Sequence, residues 1–390
     1  MKNHELSLIN QITRYLCYSL LIISALRAIN RYLYFESTII TITTAIIIYL
    51  LYLTIITNSN LTENKRIIRF IIPTVTILIL FIIFYLYPIA DGLKVSMRGS
   101  DQDDCTIGII KNLFNGINPY HFISYNGNTC AQGPGVIIIF FPFVMLNKYI
   151  FAHLFYLILI FLILYKYRNN FNFNKFFVIF FSSIILWEML SVGSDLYVSS
   201  ILLCIACILL NEGIKEKNLR LIIVSAMIIG IFSTTRINFI YIPFAISVLL
   251  FTNWKKEALI YFIISSVFCL GPLIFLFVIN DQLVSINIKN DYSFIFIHAS
   301  NIGNEKIIRN LIGLIFSIIV FIYFFLKLRK SQNVNLLLLS IFYIIFPHLL
   351  SVSVNNLIYQ NFDFTKWEGA NFIVPVLSFA ILLLSKRGLS

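Results

Sequence analysis

The sequence predicts an all-α polytopic membrane protein of about twelve transmembrane helices. Three observations predict it. Of 390 residues, 59% are hydrophobic and only 12% charged, and the mean hydropathy is +0.90. A soluble chain of this length needs far more charge to cover its surface. Apolar runs of membrane-spanning character recur along most of the chain, and the basic residues cluster in short groups between them. The net charge of +12 therefore reflects topology rather than a nucleic-acid partner.

The apolar runs fall at 8–27, 38–57, 68–88, 176–190, 195–210, 221–235, 238–252, 258–279, 307–326, 334–356 and 370–385. The first carries Arg14 and Arg27, with Arg31 just beyond it, and has no small-residue cleavage site, so it reads as a membrane helix and not a signal peptide. Between Gly135 and Tyr167 stand two further runs. The first, with Pro142, is too short to span and dips into or lies on the membrane; the second crosses.

Charge fixes the orientation. Lys65, Arg66 and Arg69 form one basic cluster, Lys166, Arg168 and Lys175 a second, and Lys215, Lys217 and Arg220 a third. Lys255 with Lys256, then Lys327, Arg329 and Lys330, then Lys386 with Arg387 complete the set. With all of these inside, both termini are cytoplasmic. Asp91, Asp101, Asp103, Asp104, Glu188, Asp195, Asp281, Asp291, Glu305, Asp363 and Glu368 then lie on the extracytoplasmic side. The chain reads as one integral membrane domain: N-terminal helices over 1–67, a core over 68–256 with a large first outer loop at 89–134, and C-terminal helices over 257–390.

The outer loop is the longest polar segment, which is where function concentrates. Within it, Ser100 is placed to N-cap a helix, with Asp103 three residues on as in a capping box. Ile107, Ile110, Leu113 and Phe114 recur at helical spacing, and Gly116 is placed to end the helix. The pattern predicts an amphipathic helix on the outer membrane surface, apolar side down. Asp101 and Asp104, three apart, share its polar face, whereas Asp103 has a sufficient role at the helix start. A solvated helix start accounts for acids there without any function; their density in a chain so poor in acids argues for a site. His121 is an ordinary loop histidine or a proton carrier. Cys105 and Cys130, the two cysteines assigned to the exterior, can pair in an oxidising compartment. Cys204 and Cys207 sit in an apolar helix without ligand neighbours and read as packing residues.

Asp195 and Arg236 stand at the outer ends of two predicted helices, where unpaired charges are costly. They read as an ion pair, or Arg236 grips a phosphate through its guanidinium fork. Lys289, Asp291, Lys306 and Arg309 belong to a second outer loop, and Trp367 with Glu368 to the last, where Trp commonly anchors at the interface.

Four patches carry a resemblance: "RGSDQDD" followed by "NLFNGINPY", "YNGN" running to "GPGVIIIFFPFVML", "GSDLYVSS", and "GIFSTTRINFIYIPF". Together they span Arg98 to Phe244 and resemble the GT-C superfamily of membrane glycosyltransferases, in particular uncharacterised bacterial GT-C-like multi-pass proteins. The resemblance implies transfer of a sugar from a polyprenyl-phosphate donor to an extracytoplasmic glycan or lipid acceptor. It makes Asp101 or Asp104 the base toward the acceptor hydroxyl and Arg236 a contact to the donor phosphate. Asp103, Tyr120, His121 and Asp195 support them, and Asp101 with Asp104 would be the ligands should Mg2+ or Mn2+ take part. Two other readings stand beside it: a non-enzymatic transporter or lipid-linked-sugar flippase using Asp195 and Arg236 as gating charges, and a polysaccharide polymerase.

Overall fold

A single helix that lipid does not reach organises the chain. In the computed structural model every residue from Asp195 to Ile214 is buried. The structure describes residues 3–33, 43, 47, 73–74, 76–92, 94, 100–127, 130–283, 304–331, 333–363 and 367–387. Among them the regular secondary structure is helical; the exceptions are isolated bridge residues, Ile123 and the antiparallel pair Phe171 and Lys386.

The helices, in order, are α1 (Asn3–Leu33), α2 (Thr76–Gly92), α3 (Gln102–Phe114), α4 (Pro134–Met145), α5 (Phe151–Lys166), α6 (Phe173–Ser182) and α7 (Ile184–Ser191). They continue as α8 (Asp195–Lys215), α9 (Leu219–Ser233), α10 (Ile242–Phe251), α11 (Lys255–Leu283), α12 (Asn304–Arg329), α13 (Val334–Tyr359) and α14 (Ile373–Ser385). Helix α2 widens to a π turn over Ile82–Leu86.

Around α8 pack α5, α9, α13 and α14. Small polar residues tie these contacts. Ser225 of α9 donates to the Ala206 carbonyl at 2.8 Å, and the hydroxyls of Ser378 in α14 and Ser200 in α8 lie 3.0 Å apart. Hydroxyls of this kind let helices approach closely and bond where lipid offers no partner. The outer helices are the opposite. On α12, Leu311, Ile315, Phe316, Ile319 and Ile322 are each about half exposed, and on α11 so are Leu259, Ile263, Val267 and Leu270. Apolar surface on that scale is stable only against lipid or another apolar partner. The chain is a multi-pass α-helical membrane protein.

The expected number of crossings is corrected. Among the described residues four helices are long and apolar enough to span: Asp195–Lys215, Lys255–Phe275, Leu311–Arg329 and Val334–Tyr359. A fifth is reached if α6 and α7, bent by 70° at Ser183, count as one. The twelve-crossing, GT-C-like architecture predicted from the sequence is therefore not the fold. The reason is length. The runs at 221–235, 238–252 and 370–385 become helices of 10–17 residues. At 1.5 Å per residue these reach at most about 25 Å, short of the ~30 Å hydrocarbon layer. The same holds for α4 and α5 and, within the described residues, for Thr76–Gly92 of the run at 68–88. Helix α1 has 31 residues; its described side chains, among them Asn10, Gln11, Arg14 and Arg27, do not by themselves make up such a span. The run at 38–57 lies outside the described residues save for positions 43 and 47, and so do the side chains of Lys289, Asp291, Lys306, Arg309 and Glu368.

Two polar contacts deep in the bundle take residues that the sequence pattern placed near the ends of apolar runs or in an outer loop. Arg27 of α1 lies 3.3 Å from Glu188 of α7 and also bonds Asn371; both charged side chains are almost wholly buried. Trp367, expected at the interface, is instead a core residue donating to the Ser353 carbonyl at 2.8 Å.

The start of α4 is held by backbone. Gly133 N–H donates to the Thr235 carbonyl at 2.9 Å, and an ideal Cβ on Gly133 would stand 1.9 Å from the Thr234 carbonyl oxygen. Only glycine permits that approach. We expect Gly133→Ala to destabilise by at least about 1–3 kcal/mol, the range for forced overpacking. Gly271→Ala, whose Cβ meets nothing within 4 Å, should be neutral or slightly stabilising in the same detergent melts. Equal melting temperatures for the two variants would show that α4 is not anchored this way.

Candidate functional site

Helix α3 begins where the sequence placed it and ends as predicted, with Gly116 in the left-handed region at φ +71°. Its first turn differs. Asp101 takes the N-cap position, and the Ser100 hydroxyl accepts only a long 3.4 Å bond from Gln102 N–H. The Asp101 carboxylate is turned to the following loop, where Asn126 Nδ2 donates to its Oδ2 at 3.0 Å and the Ser124 hydroxyl at 3.3 Å.

Asp103 is turned inward and 2% exposed. Its Oδ2 accepts from the Tyr87 hydroxyl and from Lys94 Nζ, both at 2.9 Å. The buried Oδ1 has no hydrogen-bond partner among the described residues. Burial raises the Asp103 carboxyl to about 6, although the Lys94 charge and hydrogen bond oppose the rise. Lys94 stands at the centre of three acids: 2.5 Å from Asp91, 2.9 Å from Asp103 and 2.8 Å from Asp104. Burial works against its ammonium, but the Asp103 charge and the hydrogen bonds to Asp104, Asp91 and Asp103 outweigh it, holding Lys94 above the usual lysine value.

Asp101 and Asp104, expected to act as a pair, thus have different partners. The group able to hold a divalent cation is Asp91, Asp103 and Asp104, whose ligand oxygens lie within 4.8 Å of one another. Hard oxygen donors suit Mg2+ or Mn2+, and the unpartnered Asp103 Oδ1 is a spare ligand. Lys94 Nζ meets all three carboxylates, so a cation and the ammonium would compete for one place.

The buried face of α3 also differs from the predicted stripe. Cys105, Thr106, Ile109 and Ile110 are buried, whereas Phe114 is 63% exposed. The helix packs against α4 and the Pro119–His121 turn, with Gly108 close under the Phe122 ring. It is a covered protein element, not one lying apolar side down on lipid. A Cys105–Cys130 disulfide fastens it to the segment before α4. Closing a loop of that size is worth about 3–4 kcal/mol on the chain-entropy estimate. Cys204 and Cys207 are free and buried, as packing residues should be.

The second half of the site is the start of α8. Arg236, extended at the close of the α9–α10 turn, donates from one terminal nitrogen to both oxygens of Asp195, at 2.7 and 2.9 Å. Asp195 is wholly buried, and Arg236 is 9% exposed. The Arg236 Nε, also buried, has no partner among the described residues. One residue before Asp195, the Ser194 hydroxyl bonds the Gln102 side chain. His153 Nε2 lies 3.0 Å from the Ser194 carbonyl, so that nitrogen carries the proton. Gly193, at φ +65°, passes against Tyr87 and Asp103, and its carbonyl accepts from the Tyr149 hydroxyl at 2.6 Å. Gln132 Nε2 reaches the Gln102 carbonyl at 3.2 Å.

Asp101–Asp104, Gln132–Gly135, Gly193–Asp195 and Thr234–Arg236 therefore meet in one place. Asp101 joins this meeting through its neighbour Gln102, whose side chain bonds Ser194, the residue before Asp195. Of the supporting residues, Tyr120 packs on the core and His121 is exposed on the Pro119–His121 turn. Sequence reasoning missed Lys94, Tyr87, Asn126, Tyr149 and His153. Lys94 left a trace in its i,i+3 spacing from Asp91, and Asn126 lies in the YNGN patch; the others left none. No known family model, curated protein or solved structure matches this chain.

Removing one partner of a buried ion pair strands the other charge, at a cost of about 3–5 kcal/mol. We expect Asp195→Asn and Arg236→Gln each to lower thermal stability by that order. The double variant should lose less than their sum by roughly 0.5–3 kcal/mol. Strict additivity in detergent melts would mean that the pair does not hold the two turns together.

Proposed function

We propose that the chain is a membrane glycosyltransferase that moves a sugar from a polyprenyl-phosphate donor to an extracytoplasmic glycan or lipid acceptor, with both termini cytoplasmic. The observation that carries the reading is that the Asp101–Gln102 turn meets the head of α8 at Ser194, next to the Asp195–Arg236 pair, whose buried Nε–H lacks a partner among the described residues. Among the loop acids Asp101 suits the base. It is partly exposed and held by Asn126 and Ser124, whereas Asp103 and Asp104 are engaged by Lys94.

The acceptor hydroxyl gives its proton to Asp101 as its oxygen bonds the anomeric carbon. The bond from that carbon to the phosphate oxygen breaks, and the departing phosphate keeps the electron pair. Charge grows on that phosphate in the transition state, where a fixed guanidinium in a low-dielectric site stabilises it most. A divalent cation on Asp91, Asp103 and Asp104 would add Lewis-acid charge beside the same phosphate. A lipid-borne donor accounts for a site built at the ends of the helices.

The transporter reading gains from a different observation: Arg27 and Glu188 form an ion pair between α1 and α7, within the bundle. Surface-glycan mass spectrometry on a deletion strain separates the two. We expect wild type to restore one missing sugar, and Asp101→Asn to lower product by roughly 10²–10⁴-fold at equal membrane abundance. Asp104→Asn should retain more activity than Asp101→Asn. Full restoration by Asp101→Asn removes the catalytic reading, and the same glycan loss in Arg27→Gln with an active Asp101→Asn favours transport.

A further inference from the structure

At the other end of α8, some 30 Å from Asp195 by helix length, the polar groups change sign. Here a cleft of about 240 Å³ opens between the end of α5, the start of α6 and the chain after α14. Arg168 and Arg387 line it together with Tyr165, Asn169, Asn172 and Phe173, and among the described residues no carboxylate does. Both arginines are exposed, and neither meets an acid among the described residues. Arg168 instead stacks over the Tyr165 ring at 4.8 Å.

The cleft is built rather than incidental. Arg387 N–H donates to the Asn170 carbonyl at 2.9 Å, Asn172 N–H donates to the Ser385 carbonyl at 2.7 Å, and Phe171 bridges Lys386. These bonds fix the two arginines on opposite strands of one small crossing. Lys386 itself is buried against Asn211. Below the cleft runs an apolar path: Phe155, Ile158, Leu162 and Tyr165 are each about half exposed or more and follow one face of α5 at 3–4-residue spacing. The last of them is a wall of the cleft.

An anion with an apolar tail matches both parts. We propose that this cleft binds the phosphate of an anionic phospholipid, with an acyl chain along the Phe155–Tyr165 face. Arg168 and Arg387 would fork the phosphate oxygens, and the asparagines would take the remaining headgroup oxygens. Basic pockets at the cytoplasmic boundary recognise anionic headgroups in this way. The inference does not rest on the transferase reading.

The test titrates the purified, delipidated full chain with phosphatidylglycerol, phosphatidylcholine and inorganic phosphate, reading adducts by native mass spectrometry. We expect one phosphatidylglycerol bound tightest, phosphatidylcholine weaker by about tenfold, and no displacement by millimolar phosphate. Arg168→Gln with Arg387→Gln should weaken phosphatidylglycerol roughly thirtyfold. Arg220→Gln, an exposed arginine at the same end, should leave it unchanged. Should the double variant fold poorly, Arg168→Gln alone is expected to lose roughly fivefold. Binding of the folded variants within twofold of wild type overturns the proposal. So does equal binding of phosphatidylcholine, and displacement by phosphate identifies a free-anion site instead.

Discussion

The Asp195–Arg236 pair is the contact on which the rest of the polar structure depends. Two charges taken out of water cost several kcal/mol each, and are tolerated only where geometry and further hydrogen bonds compensate. Here Arg236 grips both carboxylate oxygens and thereby fixes the α9–α10 turn against the head of α8. The residues beside each partner carry the constraint outward. Thr234 and Thr235 hold the glycines that open α4, while Gly193 and Ser194 hold Gln102, Tyr149 and His153. Because Gln102 is the first residue of α3, the acidic turn takes its position from α8 rather than from the membrane surface.

That dependence explains what the sequence disclosed and what it hid. The four motif patches were legible because they are polar islands in an apolar chain, and they meet in space, though they lie as far apart as Asp101 and Arg236. The helix after Ser100 and its end at Gly116 were legible from local rules, as were the two cysteines. The inward turn of Asp103 was not, since nothing local distinguishes it from a solvated helix start; its partner Lys94 lies nine residues back. The number of crossings was misread for a different reason. Hydropathy measures how apolar a run is, but short helices buried inside a bundle are as apolar as helices facing lipid. Helix α14 makes the point: it is too short to span, yet every residue from Ile373 to Ser385 is buried. Trp367 failed similarly: an indole near a helix end looks the same whether its N–H meets water or the Ser353 carbonyl.

The two ends of α8 are chemically distinct, and each is organised by charges that hydropathy counts only as penalties. At one end three carboxylates surround a lysine beside a buried arginine. At the other, Lys386 and Lys215 bond the Asn170, Asn211 and Glu212 group, with the paired arginines of the cleft outside it. In both places amides stand between the charges and the bundle. Side-chain amides offer donor and acceptor together, so they satisfy ions of either sign without adding a charge that must itself be paired.

Lys94 decides how the acidic end can respond to a cation. With the ammonium in place, the positive charge nearest the three acids is single, mobile on a long side chain, and shared unequally. A divalent ion arriving there gains three carboxylates but must expel a hydrogen-bonded ammonium, which weakens its net binding. The expelled ammonium would then have to find its counter-charge in solvent or on another anion. Asp101 stays outside this exchange because Asn126 and Ser124, not Lys94, hold it.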